Sequence, residues 1–132
     1  MHSLSFDFHH EYSKADVAIW LDVSIGTVAP SVQFRAKIDT GADFCIFQRQ
    51  YGELIGLDIE SGLPKRFETA TGSFDTYGHA ILIEACSVRL ETTAYFAKDL
   101  TFSKNVLGLI GWIDRLRLGL EHHSCALYLN RL

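Results

Sequence analysis

Phe34-Arg35-Ala36-Lys37-Ile38-Asp39-Thr40-Gly41-Ala42-Asp43-Phe44-Cys45-Ile46-Phe47 decides how the rest of this chain is read. An apolar-rich run enters an Asp-Thr-Gly turn, and a second apolar run leaves it. Phe34 to Ile38 reads as a strand with Asp39 at its end. Gly41 permits a tight backbone and the close approach of another chain, and Thr40 can lock the turn through hydroxyl-to-backbone hydrogen bonds. No second Asp-(Thr/Ser)-Gly occurs in the 132 residues. Bond hydrolysis by paired carboxylates needs one protonated and one ionised acid sharing a water, and two carboxyls about 3 Å apart cannot both ionise. With one suitable acid per chain, the second would come from another copy. Taken alone, the tripeptide reads first as an ordinary strand-ending turn held by an Asx hydrogen bond.

Composition narrows the classes. A length of 132 residues fits a single domain spanning 1–132, and 48% hydrophobic residues suffice for a core without disulfide staples. A net charge of −4 argues against nucleic acid or an anionic membrane surface as partner. The three cysteines, Cys45, Cys86 and Cys125, lack CxxC spacing, so a reducing, cytoplasmic setting is expected. The first residues lack the basic start and apolar stretch of a signal peptide, and no run is long enough to span a membrane.

Most of the chain alternates with period two. Strands are expected at Leu4–Phe8, Ile19–Ile25, Phe34–Ile38, Arg66–Ala70, Ser73–Glu84, Val88–Phe96 and Ala126–Leu129, and Leu116, Leu118 and Leu120 also alternate. Thr71-Gly72 reads as a hairpin turn. Gln48 to Ile55 reads as a short helix that Gly56 stops. A second helical turn is expected near Trp112–Leu116. The fold class is mostly β with one or two short helices, a small closed barrel or a sandwich.

Three motifs in order resemble the retropepsin-like aspartic proteases, the single-lobe family that includes the retroviral enzymes. They are the loop at 38–43, Phe67-Glu-Thr-Ala-Thr-Gly-Ser-Phe-Asp-Thr-Tyr77 within a segment at about 66–82, and Asn105-Val106-Leu107-Gly108 followed by a helix at about 111–116. The resemblance covers about Ala18 to Leu129. It implies a small closed β-barrel of the acid-protease type, single lobe, working as a homodimeric endopeptidase on polypeptide substrates without cofactor or metal. By position, Asp39 matches the catalytic aspartate, and Thr40 the threonine that hydrogen-bonds across the dimer. Gly41 matches the glycine whose carbonyl meets substrate. Ala42, Asp43 and Leu109 fall at the rim of the implied binding cleft, and Ala70, Thr71, Gly72 and Ser73 match the tip of a covering flap. Terminal strands, here Leu4 to Phe8 and Ala126 to Leu132, commonly seal the dimer.

The chain departs from that pattern in places. Leu109 stands where retroviral members often carry an arginine that pairs with the second acid of the loop, leaving Arg115 or Arg117 as substitutes for Asp43. Ala42 offers no hydroxyl to hydrogen-bond the ionised carboxylate, so activity is expected at weakly rather than strongly acidic pH. Asp43 reads either as a binder of substrate backbone or as a turn acid. Asp75 and Asp114 read as solvated acids. His9-His10, His79 and His122-His123 with Cys125 could supply metal ligands, but adjacent histidines on a strand face opposite ways and no ligand spacing supports a site. His79, at the flap base, could add a pH dependence. Cys45 reads as a buried structural thiol, Trp112, Phe96 and Phe102 as core or cleft wall, and one of Phe74 and Tyr77 as a substrate contact. A fold that binds extended peptides, or serves as a dimeric scaffold, without turnover is the alternative.

Overall fold

The computed structural model describes residues 1–132 and is mostly β. The elements run β1 (Phe8–Glu11), β2 (Trp20–Gly26), β3 (Val32–Ile38), β4 (Ile46–Phe47), α1 (Arg49–Leu54), β5 (Leu63–Thr69), β6 (Gly72–Ala85), β7 (Val88–Ala97), β8 (Val106–Leu107), β9 (Leu116–Glu121) and β10 (Ala126–Arg131). Short 3-10 turns occupy Ile59–Ser61, Ile113–Arg115 and His122–Ser124. No helix is long and apolar enough to cross a membrane.

Strands β2, β3, β8, β4, β7 and β6 lie side by side, and β2 pairs again with the end of β6, so six strands form a ring. β5 hangs outside it, hydrogen-bonded to β6 alone. Alternation drives this arrangement. Leu21, Val23 and Ile25 of β2, Phe34 and Ala36 of β3, Ile81 and Ile83 of β6, and Val88 and Leu90 of β7 all point inward and are buried. Together with Phe47, Phe96, Leu107 and Trp112 they belong to one core cluster of 22 residues. A separate three-stranded sheet, ordered β1-β10-β9, closes that core with Leu127 and Leu129.

Four details differ from the sequence reading. The first strand is Phe8–Glu11 rather than Leu4–Phe8; Phe6 lies outside it, over the bare face of Gly119 and 5.9 Å from the Tyr128 ring. The hairpin loop is Ala70-Thr71, because Thr69 pairs with Gly72, whose φ of 143° starts β6. The expected helix at about 111–116 is one 3-10 turn: Gly111 has φ 101°, Trp112 is drawn fully into the core, and Leu116 already begins β9. Finally, β10 does not offer a free edge for sealing a dimer along Ala126–Leu129. It pairs with β1 on one side and β9 on the other.

Leu127 is 0% exposed in the middle of that small sheet. Leu127→Ala should lower the unfolding free energy by about 2–5 kcal/mol, read as a lower urea midpoint. A change below about 0.5 kcal/mol, the range of surface substitutions, would show that the terminal sheet is not part of the cooperative core.

Candidate active site

Asp39 follows the last residue of β3, and its backbone N–H donates to the Leu107 carbonyl (3.0 Å). Its carboxylate accepts the N–H of Gly41 at 2.9 Å, and its carbonyl accepts that of Ala42 at 3.2 Å. The acid therefore holds its own turn. Thr40, expected to lock it, is exposed, and its hydroxyl makes no hydrogen bond within the chain.

The second motif lies directly against this loop. β8 sits between β3 and β4, parallel to the first and antiparallel to the second. Beyond it, the N–H of Leu109 donates to the Ala42 carbonyl (2.9 Å) and that of Ile110 to the Asp43 carbonyl (2.8 Å). Phe44 and Ile110 form a parallel bridge. A Cβ on Gly108 would collide with the Phe44 carbonyl and come within 2.8 Å of that of Ala42, so only glycine fits there.

A cleft of about 530 Å³ opens at the loop. Of the residues singled out from sequence, Asp39, Gly41, Ala42, Asp43, Thr71, Gly72 and Ser73 line it, whereas Thr40, Ala70 and Leu109 do not. Leu109 instead presents a 39% exposed side chain beside the loop, next to Ile110 at 51%. Phe74 faces the cleft, while Tyr77 packs against the core. Asp43 is exposed and unpaired; Arg115 donates to the Glu91 carbonyl and Arg117 to that of Ser5, so neither replaces the missing arginine. Asp75 pairs with Arg66 at 3.0 Å, and Asp114 accepts the Gly111 N–H at 2.9 Å.

The far wall, Thr101 to Lys104, escaped the sequence reading except for Phe102. The signal was its position: it directly precedes Asn105-Val106, whose strand abuts the Asp39 loop. An amide clasp fixes this wall. The Gln48 backbone N–H donates to the Asn105 side-chain oxygen and the Asn105 amide donates to that of Gln48, both at 2.9 Å. The Gln48 amide also reaches the Phe102 carbonyl at 3.3 Å. Asp99 accepts from the Thr101 N–H and hydroxyl, each at 2.8 Å, and these bonds hold its carboxyl below the usual range.

The histidines lie apart from the cleft. His79 Nε2–H donates to the Ile59 carbonyl at 2.9 Å. His122 and His123 occupy a 3-10 turn rather than a strand, and the Tyr12 hydroxyl is 2.7 Å from His122 Nδ1. No three His, Cys, Asp or Glu side chains converge as metal ligands. Compared with known proteins, the chain matches no protein-family model and no curated protein.

Cys45, 0% exposed, follows the loop, and burial pushes its thiol up to about 12, with Asp114 adding to the rise and the Gly108 backbone opposing it. The unfolded thiol titrates near 8.5. Its stabilising contribution is thus complete below about pH 8.5 and is lost as pH rises toward 12. At about pH 8, iodoacetamide should label Cys45 no faster than the chain unfolds globally. Rapid labelling of the native protein at Cys45 would contradict this burial.

Proposed function

We propose that the chain is a retropepsin-like aspartic endopeptidase, acting as a homodimer with one Asp39 from each copy. One observation carries the reading: a lone half-buried carboxylate sits on a turn hydrogen-bonded to the second motif, at the floor of a cleft overhung by a hairpin. On this reading the six-stranded ring is the closed barrel of the acid-protease type. Water held between the two Asp39 carboxylates loses a proton to the ionised one and attacks the peptide carbonyl, whose oxygen the protonated one hydrogen-bonds. The substrate is an extended polypeptide lying between the β5–β6 hairpin and the cleft floor and recognised through its backbone.

The second copy approaches the face that carries Thr40, Leu109 and Ile110. Thr40 is free to hydrogen-bond across the axis, and the two apolar side chains supply contact area that water otherwise covers. A peptide-binding module without turnover is the second reading. It is favoured by β10, whose residues 126–129 are paired on both sides within the chain and offer no edge there to a second copy.

The test is cleavage of an unbiased peptide library from about pH 3 to pH 8 across a range of protein concentrations. Specific activity should rise with concentration and peak at weakly acidic pH. Asp39→Asn should cost at least about 100-fold. Ile110→Asp, which sets two carboxylates against each other at the axis, should shift the concentration dependence upward while leaving the monomer folded. Peptide binding without Asp39-dependent cleavage, from protein shown by light scattering to be a dimer, would replace the peptidase by the binding module.

A further inference from the structure

Two full cations stand on the β5–β6 hairpin, and they are treated differently. Arg66 pairs with Asp75. Lys65 belongs to none of the chain's ion pairs. Its ammonium lies 5.0 Å from the ring centre of Phe44 and 5.3 Å from that of Phe67. Those two rings meet edge to face at 5.9 Å, and each meets Tyr95 of β7, at 5.1 and 5.7 Å. Three rings thus form a box with one ammonium over two of them. A cation attracted to two π faces draws the rings together.

The box joins parts that share little else. Phe44 is on the arm leaving Asp39, and its backbone is fixed by the bridge to Ile110 and by the contact with Gly108. Phe67 is on β5, whose strand pairing to the ring is with β6 alone, and its side chain lines the cleft. From Phe67 the aromatic series continues over the cleft, to Phe74 at 5.5 Å and then to Phe102 on the clasped wall at 4.8 Å. The hairpin's aromatic side chains therefore rest on the body of the protein at Phe44, Tyr95 and Phe102, and a cation reinforces only the contact with Phe44.

We propose that Lys65 is a positioning residue, tying the hairpin to the arm leaving Asp39 and so setting how far the hairpin opens and how tightly an extended peptide is held. This rests on the cleft being a peptide site, as proposed above, but its physical core, the restraint on the hairpin, is measurable without turnover. Lys65→Met keeps the apolar stem and removes the charge; Lys65→Arg keeps a cation that can lie over the rings.

Amide hydrogen exchange of Glu68 to Phe74, with Leu90 to Phe96 of β7 as internal reference, reads the restraint. In Lys65→Met, hairpin exchange should quicken about five-fold while β7 is unchanged, and Lys65→Arg should restore it. For a cleaved peptide, KM should rise by a similar factor with kcat held. Hairpin exchange that stays at the wild-type rate in Lys65→Met, or an Arg variant that behaves like Met, overturns the proposal. A loosened hairpin in protein lacking Asp39-dependent cleavage supports the tether and removes the peptidase reading. An unchanged hairpin in an active enzyme overturns the tether alone.

Discussion

The fold depends on a two-residue strand being laid between the arms of the Asp39 loop. β3 and β4 do not pair with each other; β8 fills the space between them, and without it the six-stranded ring would be open at the site. The backbone bonds from Asp39, Leu109 and Ile110 extend this contact around the turn. Gly108 is what permits it, since any side chain there would strike the carbonyls of Phe44 and Ala42. Residues nearly seventy apart in sequence must therefore meet before the carboxylate is held, and loop-closure entropy opposes that meeting. Buried Phe47, Leu107 and Trp112 on the inner side of the junction offset the cost.

That junction also explains the cleft. Asn105 opens the strand, and its side chain reaches across to Gln48 at the head of α1. Gln48 makes no side-chain cap on that helix; its amide is committed to Asn105 and Phe102 instead. The helix starts without a side-chain cap, and the wall from Thr101 to Lys104 gains a fixed base. That wall faces a hairpin tip joined to it by side chains, so on the peptidase reading opening for a peptide would fall to the hairpin.

Much of this was legible in the sequence, for a physical reason. Alternation in β2, β3 and the first half of β7 reports burial on one face, and Gly108 after Val106-Leu107 marks a position where steric limits dictate residue type. What escaped had no local signal. The positive φ of Cys86 and Ser87 (50° and 66°) is one such feature, since neither is glycine or asparagine, although the strands expected at Ser73–Glu84 and Val88–Phe96 already left a turn between them. The helix expected near 111–116 is held to one 3-10 turn, Ile113–Arg115: fully buried Trp112 precedes it at a φ of −137°, and Leu116 returns to extended backbone. Lys104 and Thr101 reach the cleft only through the Gln48–Asn105 clasp, a contact across 57 positions that no period reveals.

The terminal sheet then limits how a second copy can complete the site. Strand addition needs an open edge, and Ala126–Leu129 has none: Phe8–Glu11 occupies one side and Leu118–Glu121 the other. Within that sheet the outer edges of β1 and β9 remain. Neither belongs to the cleft lining, which is built from the Asp39 loop, the hairpin and the Thr101–Lys104 wall. A two-fold axis that brings two Asp39 carboxyls within about 3 Å must pass beside the turn itself. On the proposed dimer, contact there would come from side chains, chiefly Thr40, Leu109 and Ile110, and such an interface would be small. On the peptidase reading, bound peptide would span both halves of the cleft and add the area that the two copies lack, so assembly and substrate binding would favour each other.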